Sequence, residues 1–379
     1  MPQVFVPKES VSGETRVACT PETTKKFAKE GLSVAVQSGA GAHAHFIDEA
    51  YREAGATVLG DDEASKAWST ADVVLRVAPV TAAEAGSMKE GALLVGFGAP
   101  HKNLDAIRVL RDKKISAVAM ELVPRISRAQ SMDALSSQAS IAGYQAVLLA
   151  AAKLDKYLPL LMTAAGTIQP AKFVIMGAGV AGLQAIATAR RLGAVVEVSD
   201  IRPAVKEQVE SLGGRFIDFP MDESGEGEGG YARELTPEQL QAQQEVVRKR
   251  VIAADAVITT ALVPGRPAPR LITKEMVQEM REGAVIVDMA VEQGGNCELS
   301  KAGETVNEFG VTIIGEANLP ATTPGDASLM YARNVQTLLL ETVSDGAIKL
   351  DLEDEIINGA LLTHGGEVRF GPTAKALHG

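Results

Sequence analysis

The sequence predicts an α/β protein of two doubly wound domains joined by two long helices. Three observations carry this. The 379 residues are too many for one ordinary core. Short β-branched runs alternate with helical patterns in two successive series, which makes βαβ units and mostly parallel sheets. Each series is followed by a helical stretch longer than the crossovers within it.

The first series opens with VFVP (4–7). PETTKKFAKEG reads as a helix ending on Gly31, since glycine suits the residue just past a helix. LSVAVQ (32–37), a helix at DEAYREAGA, TVLG, DVVLRV (72–77), ALLVGF (92–97) and SAVAME (116–121) continue it, with amphipathic or Ala-rich helices between. The first long helix begins near Asp133 or Ser136 and runs through SSQASIAGYQAVLLAAAKL. Its small and apolar residues on several faces predict burial between two bodies. After a loop holding Pro159 and Pro170, the alternation restarts with KFVIMG (172–177). VVEVSD (195–200), RFIDF (215–219), AVITT (256–260), AVIVDM (284–289) and VTIIGE (311–316) follow. The second long helix, 326–343, is expected to cross back, so that the last residues complete the first domain. The expected domains are 1–135 plus 327–379, and 136–326, with a cleft between them.

Composition narrows the partners. The formal net charge is −11 and no Lys/Arg cluster stands out, so neither nucleic acid nor an anionic membrane surface is an expected partner. The two cysteines, Cys19 and Cys297, form no disulfide framework and point to a reducing cytoplasm. The N-terminus MPQVFVPKES shows no signal-like apolar region. The longest apolar segment is interrupted by Lys153, Asp155 and Lys156, so no span is expected. The histidines His43 and His45 have no acid or thiol set at ligand spacing, and no metal site is expected. His101 reads either as a general acid or base or as a polar loop residue.

The second domain carries Gly177-Ala178-Gly179-Val180-Ala181-Gly182 between a strand and an Ala-rich helix. Gly177 allows the tight turn, Gly179 lets the backbone approach a pyrophosphate, and Gly182 lets helix and strand pack closely. Phosphate then sits on the exposed N–H groups and positive dipole end of the helix. The context makes this a Rossmann-like dinucleotide site: a strand before, a helix after, a second strand, and Asp200 at that strand's end. Asp200 is expected to accept from the adenosine ribose, which favours NAD(H) over NADP(H). Ile201 and Arg202 follow it. Arg202 has a phosphate-pairing alternative, but with Asp200 ionised it is expected to face solvent or the adenine. The strand ends Thr259, Thr260, Ala261 and Leu262, and Asp288 to Glu292, are candidate walls for the nicotinamide half. The acidic, Gly-rich stretch 218–238 reads either as a solvated loop or as a mobile flap, near 220–236, with Tyr231 as its docking tip.

PRISRAQSMDALSSQ (124–138) places Arg125, Gln130, Asp133 and Ser136 at a strand end and helix start. One reading is a helix cap made by Asp133 or Ser136, with Arg125 on the surface. The other is a polar site.

These residues identify a resemblance. VPKES…GETRVACTPE (6–22), GAGAHAHFIDEAYREAGA (39–56), PRISRAQSMDALSSQA (124–139), MGAGVAGLQAIATARRLGA (176–194), DIRPAVKEQVESLGGRF (200–216), GYARELT (230–236) and VIVDMAVEQGGNCE (285–298) together span the chain. It resembles the NAD(H)-binding domain I, or alpha-1, subunits of proton-translocating nicotinamide nucleotide transhydrogenase. More distantly it resembles alanine dehydrogenase. RAQSMDALSSQ and VKEQVESLGG are not general Rossmann features. The resemblance implies direct hydride transfer from NADH to NADP+ held on a partner domain III subunit, with membrane domain II subunits coupling it to proton movement. It implies a homodimer, peripheral on the cytoplasmic face of the inner membrane through its partners. It places Arg125, Gln130, Asp133 and Ser136 around the nicotinamide and its ribose, and Tyr231 at the tip of a mobile loop. The chain ends at Gly379 without a span, which matches the split-subunit form in which the membrane part is on other chains.

Departures from alanine dehydrogenase bear on the choice. Arg16 is kept, but the strand that would carry a lysine reads LRVAP, with Ala78 there. Glu292, in EQGG, stands where those enzymes have a catalytic aspartate. Hydride transfer between two nicotinamides needs neither, only two carbons held about 3–3.5 Å apart. A soluble amino-acid dehydrogenase and a non-catalytic NAD(H)-sensing module are the alternatives.

Overall fold

The computed structural model describes residues 1–218, 237–262, 265–344 and 346–378. The chain opens with β1 (Gln3–Val6), α1 (Pro21–Lys29), β2 (Ser33–Gln37), α2 (Asp48–Glu53), β3 (Thr57–Leu59) and α3 (Asp61–Thr70). It continues with β4 (Val73–Leu75), α4 (Ala82–Ser87), β5 (Leu93–Gly96), α5 (Leu104–Asp112) and β6 (Ser116–Ala119). A 3-10 segment, Ser127–Met132, leads into α6 (Ala134–Lys153). A hairpin of β7 (Leu161–Thr163) and β8 (Gly166–Ile168) precedes β9 (Lys172–Met176), α7 (Val180–Arg191), β10 (Val195–Ser199), α8 (Lys206–Ser211) and β11 (Arg215–Phe216). Then come α9 (Pro237–Ile252), β12 (Ala256–Thr259), α10 (Lys274–Glu279), β13 (Val285–Asp288), β14 (Glu304–Glu308) and β15 (Val311–Gly315). The last elements are α11 (Pro324–Leu340), β16 (Val343–Ser344), β17 (Ala347–Ile348), α12 (Glu355–Ala360), β18 (Leu361–His364), β19 (Glu367–Val368) and α13 (Gly371–His378).

Two compact units result: Met1–Gln138 with Pro320–Gly379, and Ala139–Leu319. The sequence places the joins at 135/136 and 326/327; the changeovers lie at 138/139, inside α6, and at 319/320, just before α11.

In the first unit the strand order is β19-β18-β6-β5-β4-β1-β2-β3, parallel from β3 to β6. The C-terminal β18 and β19 add antiparallel to that edge. Val4 and Val6 point into one apolar cluster with Val34, Val36 and Leu75, while Phe5 points into another with Ala35, Val74 and Leu94. Both faces are therefore covered, as the near-continuous apolar strands require. The second unit repeats the logic in the order β11-β10-β9-β12-β13-β15-β14. Phe173 and Ile175 pack on one side, Val174 and Met176 on the other.

The fold class is the expected α/β one, with departures in detail. The loop around Pro159 and Pro170 contains the exposed β7–β8 hairpin. β14 runs antiparallel at the edge of the second sheet. The loop near 220–236, with Tyr231, lies outside the described residues. Among the described residues no helix is long and apolar enough to cross a membrane.

Among the buried polar contacts that hold the return of α11 is the Asn334 amide. Asn334 donates to the Ser131 carbonyl at 2.7 Å and accepts from the Ser137 hydroxyl at 2.7 Å. Asn334→Ala strands the Ser131 carbonyl and leaves the Ser137 hydroxyl only its longer, 3.2 Å bond to the Ala134 carbonyl, so we expect a loss of about 1–3 kcal/mol. Urea unfolding followed by circular dichroism reads this; an unchanged midpoint would show the amide to be dispensable.

Candidate nucleotide-binding site

From β9 the second unit's chain moves outward through β10 and β11, then re-enters on the other side of β9 at β12. Such a reversal leaves a crevice at the carboxyl ends of the two central strands. The Gly177 turn follows β9, and Thr260 to Leu262 follow β12.

The glycines do three different things. Gly177 has φ 107°, and a Cβ on it would run into the Thr260 hydroxyl. That hydroxyl donates to the carbonyls of Met176 and Gly177, each at 3.2 Å, and the Thr260 N–H bonds Met176 at 2.8 Å. A Cβ on Gly182 would overlap the Gly177 carbonyl oxygen, so only glycine lets α7 start this close to β9. Around Gly179 a Cβ would meet nothing within 4 Å. Gly179 caps α7 with no side-chain acceptor. The first N–H groups of a helix have no intrahelical partner. They face this open space with the positive end of the helix dipole, which fits a pyrophosphate. Ala178 is buried beneath the turn, and Val180 is exposed beside it.

Asp200 closes the turn from the end of β10. Its carboxylate accepts the Ala178 N–H at 2.7 Å and the Arg202 N–H at 2.8 Å. Arg202 adds a fork, Nε at 3.0 Å and a terminal nitrogen at 2.9 Å. Arg202 is thus clamped on its neighbour while its side chain still faces solvent. Burial raises the Asp200 carboxyl, but the Arg202 and Ala178 bonds outweigh it and hold it below the usual range. Ile201 projects outward, 82% exposed.

The other strand ends divide. Ala261 is gripped by the buried Asn296 amide, which accepts its N–H at 3.1 Å and donates to its carbonyl at 2.9 Å. Leu262 is exposed and stays available as a wall. Asp288 is not a wall: it is fully buried and accepts from Thr259, Ala290, Asn296, Cys297 and Ser300 at 2.6–3.1 Å. The loop after β13 folds over it because five donors converge there.

In the first unit the structure joins Asp133 and Ser136. Asp133 accepts the Ser136 N–H at 2.8 Å and its hydroxyl at 2.6 Å, capping α6. Arg125 and Gln130 are exposed. The first sheet has the same reversal, between β1 and β4, but its crevice is filled from within. Glu9 accepts the N–H groups of Val77 at 2.7 Å and Ala78 at 3.2 Å. Arg76, fully buried, pairs with Glu9 at 3.1 Å and Glu84 at 2.9 Å. Arg16 forks onto Glu14 and reaches Gln138 at 2.9 Å. Glu121 takes the N–H groups of Gly98 and Ala99. His101 sits in the same loop, exposed, edge-on to Phe370.

Comparison with known proteins now decides the family. The model described as "Alanine dehydrogenase/PNT, N-terminal domain" matches residues 5–142, and "Alanine dehydrogenase/PNT, C-terminal domain" matches 146–371. The chain belongs to the alanine dehydrogenase/PNT family. Within this family it is 47% identical over 375 residues to an NAD(P) transhydrogenase alpha-subunit chain of Rhodospirillum rubrum, covering 97% of each chain. The solved transhydrogenase from Sinorhizobium meliloti superposes with a TM-score of 0.87 at 47% identity, over 97% of this chain and 99% of that one. An L-alanine dehydrogenase structure stands further off, at 27% identity and a TM-score of 0.83 over 99% of each chain.

For a family that includes amino-acid dehydrogenases, the filled crevice is what pattern reading missed. Glu9, Glu14, Arg76 and Glu121 carry no spacing signal; only the position of Glu9 and Arg76 just past two central strands marks them. Burial pushes Glu9 up to about 7 against the pull of Arg76, whose charge Glu84 also holds. The folded state then keeps a proton that the unfolded chain releases. The stabilising contribution is complete below about pH 4.5 and is lost as pH rises towards 7. We expect wild-type stability to fall by about 2 kcal/mol across that window relative to Glu9→Gln. Urea titrations of both proteins from pH 4.5 to 7.5 test this, and parallel curves would refute it.

Proposed function

We propose that this chain is the NAD(H)-binding component of a proton-translocating transhydrogenase, giving hydride directly to NADP+ held on a partner domain III subunit. The observation that carries the reading is the contrast between the two sheet crevices. In the second unit the glycine turn, the uncapped start of α7 and Asp200 suit an NAD(H) molecule. In the first, Glu9 and Arg76 occupy the equivalent place, and the Arg16 fork is spent on Glu14. A substrate carboxylate needs a cation to receive it, and Arg16 and Arg76 are already held by Glu14 and Glu84, which disfavours the alanine dehydrogenase type of reaction.

When bound, NADH supplies the hydride. The chain's own work is binding and orientation. Backbone N–H groups from Gly179 to Gly182 take the pyrophosphate, and Asp200 takes the adenosine ribose. Val180, Ile201 and Leu262 offer exposed apolar surface for the rings. Thr260 holds the turn, and Ala261 is held by Asn296. Arg125, Gln130, Asp133 and Ser136 orient the nicotinamide and its ribose in this reading. No acid or base is required, since positioning alone lowers the barrier.

Coupling to proton translocation falls to membrane domain II subunits, so the chain is peripheral on the cytoplasmic face of the inner membrane. A homodimer is part of the proposal. The β7–β8 hairpin supports it, with Leu160, Met162 and Ile168 exposed at 54%, 73% and 45%. Apolar side chains in such a cluster favour an interface.

Mixing the purified chain with an NADP(H)-binding domain III protein should give rapid reduction of an NADP+ analogue by NADH. A rate at background would sink the proposal, and NADH oxidation with pyruvate and ammonia would favour the dehydrogenase. Asp133→Asn sharpens the test because asparagine caps a helix as well as aspartate does. We expect transfer to slow about tenfold or more with NADH affinity nearly kept. An unchanged rate would reduce Asp133 to its cap.

A further inference from the structure

The Asp200 carboxylate has no acceptor place to spare. Oδ1 takes the Arg202 N–H at 2.8 Å and Arg202 Nε at 3.0 Å; Oδ2 takes the Ala178 N–H at 2.7 Å and an Arg202 terminal nitrogen at 2.9 Å. Two carboxylate oxygens offer about four lone-pair places between them. A ribose hydroxyl that donates to Asp200 must therefore displace a donor already there.

The donors differ in how easily they leave. Two are backbone N–H groups, one of them in the glycine turn, and neither moves without the chain. The other two belong to one side chain. The Arg202 side chain is 56% exposed, while the Asp200 side chain beneath it is only 5% exposed. The guanidinium is the cover over the carboxylate, and it is free to swing into water.

The geometry points to Arg202 as an internal competitor for the adenosine ribose. Its two forked N–H groups and the two adjacent ribose hydroxyls are both paired donors of similar spacing, and they claim the same acceptor places. This rests on the reading of the crevice as an NAD(H) site, and it adds what regulates the strength of that site. The nucleotide binds the fraction of molecules in which the fork has lifted, so the apparent affinity is reduced by that fraction. A forked pair is stronger than a single contact, yet its exposure to water weakens it. Arg202 thus sets a ceiling on how tightly the nucleotide is held, without touching the pyrophosphate end.

Calorimetric titration with ADP-ribose, NADH and nicotinamide mononucleotide tests this on the full chain. Arg202→Met keeps the aliphatic stem and removes the fork; Arg202→Lys keeps the charge and loses the paired geometry. Arg202→Met should bind ADP-ribose and NADH about three- to tenfold more tightly than wild type. Arg202→Lys should fall between, and nicotinamide mononucleotide, which lacks the adenosine ribose, should be unaffected. Unchanged or weaker binding of ADP-ribose by Arg202→Met would overturn the inference while leaving the NAD(H) site standing. Equal tightening of nicotinamide mononucleotide would also overturn it, since the effect would then not be local to the ribose. Failure of wild type to bind ADP-ribose or NADH at all would overturn the site itself, and the inference with it. A melting temperature for each variant close to wild type confirms that the exposed position has not disturbed the fold.

Discussion

The nucleotide-binding end of this protein depends on one close approach, that of Gly182 to the carbonyl oxygen of Gly177. No side chain fits between them. Because α7 starts that near the end of β9, its free N–H groups are aimed into the crevice and not over it. Thr260 makes the same approach possible from the neighbouring strand, bonding the two carbonyls that the turn leaves exposed. Remove the contact and the helix start moves away from the sheet, taking with it the dipole, the open space at Gly179 and the N–H of Ala178 that orients Asp200.

A second theme is the use of backbone N–H groups to hold carboxylates. Glu9, Glu121, Asp200 and Asp288 each accept an N–H bond from a residue just beyond a strand end, that of Asp288 coming from Ala290. Strand ends present unpaired N–H groups, and a buried carboxylate needs several donors to offset its lost hydration. Three of these acids close the structure on itself. Asp200 differs because part of its donor set is an exposed side chain. The same local chemistry thus yields a plug in one sheet and a replaceable contact in the other.

What was legible in the sequence is what is local. The glycine turn declares itself within six residues of a strand, because each glycine answers a separate steric demand. The strands declare themselves as β-branched runs, and Asp133 as a cap three residues before Ser136. What was not legible depends on contacts between distant segments or on a rotamer. Glu9 and Arg76 meet only because β1 and β4 are neighbours in the sheet. Asp288 stands at a strand end like any crevice residue, and only the path of the loop after it turns the carboxylate inward. Asp200 and Arg202 are two residues apart, but spacing does not tell whether the guanidinium lies on the carboxylate or in water. The β7–β8 hairpin escaped because its residues are mostly exposed and show no buried alternation.

The return of α11, β18 and β19 to the first sheet has a consequence for biosynthesis. Residues 139–319 are continuous in sequence, so this body has all its parts once they leave the ribosome. The other body begins first and finishes last. Its β6 edge stays unpaired until Leu361–His364 arrives, more than two hundred residues later. An open strand edge is a template for pairing with other chains. For most of its synthesis the nascent protein carries that edge bare, and a chaperone that shields it would act on the amino-terminal body while the nucleotide-binding one is already folding.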